Sequence, residues 1–429
     1  MSNFKIIIIA VFVVFAIVGI IFFAGFGGSG GGNTTIGPVV IWGTLDARTM
    51  NGLLKEIRAV REDFDTVTYI EKDERTFDTE FVNALAVGIG PDLILLSQDS
   101  ILKHRDKIIN ISYDVYSQRT FKDTFIEEGE LYMTPDGILG LPFTIDPMVL
   151  YWNRDILSSA GVSAPPRYWD ELFTLSPIIT QRDRAANIVT SLTALGEYRN
   201  VDHAKEILST LIIQAGNKII NRHDGELEVV LREQGESVIA PAEAALRFYT
   251  EFSNPVKSVY SWNRALPSSR QSFIAGDLAL YIGFASELVG LRNANPNLNF
   301  DVAPLPQSRD GSTKITFGKM SSFAIPRTAP NPNASFSAAL ALTSQEPLII
   351  LAEVTGLPPV RRDLLAVRPT DAFRSIFYDS ALMARAWLDP NDEKSGEIFK
   401  DMIENVISGR SRLSEAVRIA DEELKNLLQ

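Results

Sequence analysis

The chain has no cysteine in 429 residues. That excludes disulfides, thiolate metal sites, a cysteine nucleophile and a lipid-modified N-terminal cysteine. Histidine is nearly as scarce. His104, His203 and His223 lie far apart, and none has the spacing of a metal-ligand set, so neither a metal centre nor a cofactor is expected. The Gly-x-Ser-x-Gly pattern occurs only at Gly27 to Gly31, inside a glycine-rich run with no strand before it and no helix after it, so no nucleophile elbow is expected. A Walker A loop is missing, because Gly318-Lys319 runs into Met320 without a glycine at the right offset. No catalytic residue is marked out: carboxylates are plentiful, but none is singled out as half of an acid–base pair. Positive charge is in deficit, with 41 Lys and Arg against 53 Asp and Glu and a net charge of −12. This disfavours nucleic acid or an anionic lipid surface as the main partner. An internal repeat is also lacking.

What is present reads as globular: 45% of residues are hydrophobic and 22% charged, and the length allows two ordinary domains. The chain opens on a run from Ile6 to Phe26 with no charged or polar side chain. As a helix it would reach roughly 32 Å, enough for the hydrocarbon core of a bilayer. It exceeds the apolar run of a signal peptide and lacks a good cleavage site, so an uncleaved transmembrane anchor is expected. Lys5 and the terminal amine keep its start cytoplasmic and send the bulk across the membrane. Residues 27–37 (Gly27 to Gly37) form a flexible linker with a reach of roughly 18 Å. The match of Gly25, Gly27 and Gly30 to a dinucleotide fingerprint is rejected, since no strand precedes it and no helix follows.

Beyond the linker, Pro38–Thr44, Thr66–Ile70 and Asp92–Leu96 read as buried strands. Helical stripes separate them, one through Met50, Leu53, Leu54, Ile57 and Val60 and another through Phe77, Phe81, Ala84 and Leu85. Alternation of strand and helix predicts a parallel α/β sheet. Ligands of such sheets sit beyond the carboxyl ends of the strands, which gives priority to Thr44 and Asp46 after the first strand and to Ser97, Gln98 and Asp99 after the third. Asp46 and Asp99 are equally suited to capping a helix. The stretch Gly137–Leu172 starts as a strand, is broken at Pro142 and Pro147, and resumes as MVLYW. Two prolines in a buried strand predict a chain leaving one lobe for another. The remainder is largely helical, with a buried strand at Leu278–Gly283 and further strands at Phe300–Pro304 and Ser322–Pro326.

Of the five tryptophans, Trp152 and Trp169 sit at the edges of ordinary elements and are expected in the core. Trp42, Trp262 and Trp387 have polar neighbours or adjoin a turn. An aromatic face beside polar side chains suits a sugar, whose ring offers C–H faces and equatorial hydroxyls.

In order along the chain come VVIWGTLD, GPDLILLSQDS, GLPFTIDPMVLYWNRDILSSAGVSAPPRYWDEL, SFIAGDLALYIGF, FDVAPLPQS with SSFAIP, TGLPPVRRDLL and VISGRSRLSEAVRIADEELKNLL. Each is degenerate alone. As an ordered set, from Val39 to the C-terminus, the sequence resembles the extracellular solute-binding proteins of ABC importers (family 1), in the sugar-binding branch that includes maltodextrin-binding protein. The resemblance implies a two-lobed, periplasmic-binding-protein-like α/β fold with a hinge crossed three times, near Asp146, Asp301 and Glu346. Lobe 1 would be residues 36–145 plus 302–345, and lobe 2 residues 146–301 plus 346–429. The family's cleft positions fall on Trp42, Thr44 and Asp46, on Asp99 flanked by Ser97 and Gln98, and on Asp146 with Thr144 beside it. Phe284 replaces the family's common tryptophan, and Tyr198, Trp262 and Trp387 complete the ligand set. The missing lipid-attachment cysteine and the helix in its place are departures from the pattern.

The function implied is a membrane-anchored, extracytoplasmic, monomeric binding protein. It would capture a sugar or oligosaccharide and deliver it to ABC permease subunits, without being an enzyme. Two alternatives stand beside it: a ligand-sensing adaptor that signals closure to a membrane partner, and an exported glycan-acting enzyme using paired carboxylates.

Overall fold

The computed structural model describes residues 36–429 apart from Asp224, residues 234–238, Asp310, Ser312 and Gln429. The expected anchor, residues 6–26, and the linker up to residue 35 lie outside the described residues. Among the described residues, no single helix is long and apolar enough to cross a membrane.

The first unit runs β1 (Val39–Gly43), α1 (Ala47–Val60), β2 (Val67–Glu71), α2 (Phe77–Ala86) and β3 (Leu93–Ser97). Strand β1 pairs in parallel with both β2 and β3. Met50, Leu53, Leu54 and Ile57 form the buried face of α1, the spacing of one stripe on a 3.6-residue period. The chain then enters β4 (Leu141–Asn153), a strand of 13 residues. Later come β5 (Ile188–Thr193), α3 (Ala204–Gln214), β6 (Leu278–Phe284), β7 (Phe300–Ala303), β8 (Gly318–Ala324), α4 (Ala372–Leu382), α5 (Asp392–Ile407) and α6 (Leu413–Leu428). The strands form one mixed sheet in the order β2-β1-β3-β8-β4-β6-β5, with Gln181–Arg182 on the outer edge and β7 also on β4.

Strand β4 joins the two halves of this sheet. Its first part pairs with β8, from Leu141 opposite Phe323 to Pro147 opposite Gly318. Its second part pairs with β6, from Met148 opposite Phe284, and with β7. The strand is continuous where the sequence predicted a break. Pro142 sits at the register shift beside Ser321 and Ser322, and Pro147 sits where β4 changes partners. Proline lacks an N–H, so it is tolerated where the ladder is already irregular.

Two hydrophobic cores flank the joint. Ile145 belongs to the first and Met148 to the second, so the chain passes over at Asp146–Pro147. The return crossing lies between Phe317, in the second core, and Met320, in the first. Asp301, where the sequence placed this crossing, instead pairs with Trp152 inside β7, on the second-lobe side. Glu346 lies in a helix, Gln345–Thr355, whose Leu348 and Leu351 still pack in the first core. The third passage is spread over α4 and the segment after it: Phe377 and Trp387 pack in the second core, and Tyr378, Ala381, Ala384 and Leu388 in the first. By packing, then, Val302, Ala303, Leu305 and Phe317 go with the second core and Leu348, Leu351, Val360 and Leu365 with the first, while α4 touches both. The alternating pattern of a strand or helix is the same whichever core it faces, so sequence periodicity cannot assign it to a lobe.

The three crossings touch at Thr316–Gly318. The Thr316 hydroxyl donates to the Met148 carbonyl at 2.6 Å. Its backbone N–H donates to Met383, and its carbonyl accepts from the Arg385 N–H. A Cβ at Gly318 would meet Ala384 Cβ at 2.7 Å and Ile145 Cδ1 at 2.8 Å, so only glycine fits there without displacement. Gly318→Val is expected to lower stability by about 1–3 kcal/mol through overpacking. Urea unfolding reads this directly, and an unchanged midpoint would show that the crossings can part.

Candidate functional site

Side chains from both lobes gather at the carboxyl ends of parallel strands from both halves, where a cleft of this fold would lie. Thr44 and Asp46 follow β1; Ser97 ends β3, and Gln98 and Asp99 follow it. In the other lobe β5 and β6 pair in parallel; Tyr198 lies just beyond β5, and Ser286 and Glu287 follow β6. This is where loops leave a sheet and backbone groups turn towards a ligand.

At the centre lies a charged cluster drawn from both lobes and a crossing. Lys205, in the first turn of α3, puts its ammonium 2.9 Å from Asp389 Oδ2 and 3.2 Å from Ser395 Oγ, and also pairs with Asp392. Lys319, on β8 at the second crossing, pairs with Glu206 at 2.9 Å and lies 4.7 Å from the centre of the Phe284 ring. Asp99 reaches in from lobe 1. One oxygen from each of Asp99, Asp389 and Asp392 lies within 4.8 Å of the others. Half-buried Tyr198 senses the charges of Lys205, Glu206 and Asp392, and its hydroxyl abuts Gly396 of α5.

Burial pushes the Asp99 carboxyl up to about 7; Lys205 and Lys319 oppose the rise, and Asp392 and Asp389 add to it. Asp389 is raised by burial against the pull of Lys205. Burial would lower Lys205, but Asp389, Asp392 and Asp99 outweigh it and hold the ammonium charged. Four carboxylates thus share two ammonium groups. Such a cluster offers acceptors and donors at close quarters, the equipment for gripping hydroxyls by charge-assisted hydrogen bonds.

Around the hinge, Asp146 accepts from the Ser286 N–H at 3.0 Å. It stands opposite Lys319 in the ladder. Burial pushes its carboxyl up to about 6, against the Ser286 hydrogen bonds. Thr144 lies two residues earlier, opposite Ser321 and partly exposed. Phe284 is buried and meets the His203 ring edge-on at 4.8 Å. His203 pairs with Glu287 at 2.8 Å, and Glu287 also accepts from the Tyr281 hydroxyl and the Phe284 N–H. These groups satisfy one another and form a floor.

Most of the other candidates lie elsewhere. Asp46 caps α1 by accepting from the Arg48 and Thr49 N–H groups, and the Thr49 bond leads in holding its carboxyl below the usual range. Trp42 lies under the Lys72 ammonium at 3.8 Å, and Thr44 is exposed. Ser97 Oγ accepts from the Asp99 N–H. Gln98 is fully buried; its amide donates to the Gly318 carbonyl and accepts from the Met320 N–H, both at 2.9 Å. It clamps β8 and does not face the cleft. Trp262 is a core residue whose indole N–H reaches Asn200 at 3.2 Å; Trp387 is also buried, with its N–H on Ser209 at 3.2 Å, but its ring lies 5.9 Å from the Lys205 ammonium at the edge of the cluster. The structure therefore brings Asp99, Asp146, Tyr198 and the edge of Phe284 towards one centre, with the Trp387 ring at its edge. Sequence reasoning missed Lys205, Glu206, Lys319, Asp389, Asp392 and Ser395. Only the Asp-Pro-Asn-Asp turn after Trp387 hinted at them.

The bacterial extracellular solute-binding protein family matches residues 62–374, well over half of the chain. A Brucella abortus (strain 2308) protein named as a binding protein is 30% identical over 92 residues, 20% of this chain and 22% of that protein. A Brucella suis biovar 1 (strain 1330) protein gives the same figures. The chain thus matches about a fifth of the length of these curated relatives. Among solved structures, a cyclo/maltodextrin-binding protein complexed with maltotetraose has a TM-score of 0.73 at 17% identity, covering 94% of this chain and 99% of that one. An ABC transporter solute-binding protein from Thermotoga lettingae bound with α-D-tagatose has a TM-score of 0.66 at 21% identity, covering 92% and 100%. The GacH receptor of Streptomyces glaucescens, solved unliganded and with acarbose, has a TM-score of 0.68 at 17% identity, covering 91% and 98%. At these identities the likeness establishes the two-lobed α/β fold.

Asp99 and Asp146 keep their protons in the fold at a pH where the unfolded chain has lost them. Where the folded state holds more protons, stability falls as pH rises. Their part of the fall should run from about pH 4, the ordinary aspartate value, to about 7, the raised value of Asp99, and buried Glu128, pushed up to about 8, extends it. Asp99→Asn should flatten part of this slope in urea unfolding at pH 4.5 and pH 8. An unaltered slope would mean that Asp99 is solvated like any surface carboxylate.

Proposed function

Since the chain belongs to the bacterial extracellular solute-binding proteins, we propose that it captures a sugar or oligosaccharide in the cleft and delivers it to the permease subunits of an ABC importer. The observation that carries this reading is the cluster assembled from both lobes: Asp99 on one side, and Lys205, Asp389, Asp392 and Tyr198 on the other. A hydroxyl-rich solute can donate to the carboxylates, accept from Lys205 and Lys319, and lay a C–H face on Tyr198. Neutral hydroxyls meet the excess of carboxylates without adding charge. The α-D-tagatose and maltotetraose bound by two similar solved structures support the same class. The family is one of binding proteins, so turnover is not part of the reading.

Asp146 sits where β4 changes lobes, and Lys319 sits where β8 begins. Solute contact at these positions would bear directly on the angle between the lobes. A single chain supplies both sides of the cleft, so a monomer suffices. The family's extracellular location agrees with the uncharged run Ile6–Phe26 acting as an uncleaved anchor, with the bulk outside the membrane.

The test is a thermal-shift and fluorescence screen of the purified protein against mono- and oligosaccharides. A solute at 100 times its Kd should stabilise the fold by about 2.7 kcal/mol. Tyr198→Ala and Asp99→Asn should each weaken that solute by about tenfold or more, equivalent to about 1.4 kcal/mol. A response to peptides or polyamines with none to sugars would remove the sugar and leave the binding role. For the anchor, N-terminal sequencing of membrane-associated protein should read from Met1 or Ser2. A start beyond Phe26 would show processing.

A further inference from the structure

Apart from the charged cluster, a cavity of about 1000 Å³ opens beside the crossings. It lies at the far end of α3. Lys205, at the start of that helix, belongs to the cleft, whereas Gln214, at its end, lines the cavity. Nine residues of helix separate them by about 13 Å. Both lobes and the third crossing contribute walls: Met133 from lobe 1, Arg222 from lobe 2, and Arg385 to Leu388 between them. The volume is at the upper end of small-molecule sites.

The charges around this cavity do not balance internally. Lys122 is paired with Glu130 at 2.8 Å, and Arg385 is paired with Glu127. Among the described residues, Lys218 bonds the Asn221 side-chain oxygen and Arg222 bonds the Met133 carbonyl across the lobes, and neither has a carboxylate partner. Burial holds the Arg222 guanidinium below its ordinary range, as expected of a cation short of counter-charge. Glu128, also in the wall, is buried and pushed up to about 8 by that burial, so at neutral pH it adds no negative charge. Two cations of lobe 2 are thus left facing a concavity walled by lobe 1.

We propose that this cavity is a second binding site, for a small organic anion bearing a carboxylate, held by Lys218 and Arg222. Arg222 has nitrogens beyond the one committed to Met133, and a guanidinium fork matches a carboxylate. The site is coupled to the cleft by two continuous segments. Helix α3 runs from one to the other. Beside it, residues 385–392 pass from the cavity wall into the charged cluster. They are fastened to α3 by the Trp387–Ser209 bond at one level and the Lys205–Asp389 pair at the next. They are fastened to lobe 1 by the Ala386 N–H on Glu128 at 2.9 Å. An anion that draws Arg222 away from Met133 or towards it changes the contact between the lobes beside the hinge, and with it the cleft.

The test uses the full chain and citrate as the probe, with sodium chloride matched for ionic strength. Trp387 lines the cavity, so its fluorescence reports occupancy without any knowledge of the solute. Citrate should give a saturable change that disappears in Trp387→Phe. The citrate Kd should rise at least tenfold in Lys218→Gln, whose side chain is exposed, and in Arg222→Gln, and should stay within twofold in Asp99→Asn. If Arg222→Gln fails to fold, Lys218→Gln alone decides. A response equalled by sodium chloride would overturn the site. Equal loss in Asp99→Asn would overturn it too, by putting the anion in the cleft.

Discussion

The contact among the three chain crossings is the constraint from which the rest of this molecule follows. Thr316 bonds Met148 of the first crossing and both Met383 and Arg385 of the third. Gly318 leaves just enough room for Ile145 and Ala384 to close around it. These are short, mostly backbone interactions in a place with little spare volume, so they fix how the segments lie against one another while leaving each lobe its own core. Gln98 adds a side-chain clamp, because both ends of its buried amide are used by the backbone of β8. That clamp fixes the residue next to Asp99, so the cleft carboxylate of lobe 1 takes its position from the crossing itself.

The cleft shows what this geometry does with charge. Ion pairs tie Lys205 to Asp389 and Lys319 to Glu206 within or next to lobe 2. Asp99 arrives from the other lobe with no ammonium of its own, close to two more carboxylates. Bringing like charges together in a partly dehydrated space is unfavourable. Burial above all raises the Asp99 carboxyl, and a proton there relieves both the burial and the nearby carboxylates; hydroxyl donors from a solute would do the same. The approach of the lobes and the filling of the cleft are therefore linked through the same side chain.

The sequence carried the first lobe well because strands and helices there alternate with clear periods and sharp breaks. The proline pair in β4 pointed to the place where the chain changes lobes, although the strand runs on through both prolines. The second and third crossings were less legible. They depend on which core a segment faces, and β7 or the helix Gln345–Thr355 looks the same in either. The tryptophans misled for a different reason. Polar neighbours of Trp262 and Trp387 suggested exposure, but an indole N–H needs a partner when buried, and Asn200 and Ser209 supply it from residues distant in sequence. Lys205 and Lys319 carried no local signal. A lysine near the start of a helix and one beside a glycine become site residues only when Asp389 and Glu206 are folded against them.

Helix α3 and the segment 385–392 make the charged cluster and the cavity mechanically one object. Each has one end at the cluster and the other at the cavity, and they are bonded to each other between. A rigid pair joining two regions carries a displacement of one to the other: as the cleft narrows, the cavity changes with it. Leu227 packs against both cores, and Arg222 touches Met133 across the lobes, so the lobes are already in contact at the cavity and resist that change. The two regions joined by this pair have surfaces of opposite character. At the cluster, an excess of carboxylates is relieved by donors. At the cavity, an excess of cations is relieved by acceptors.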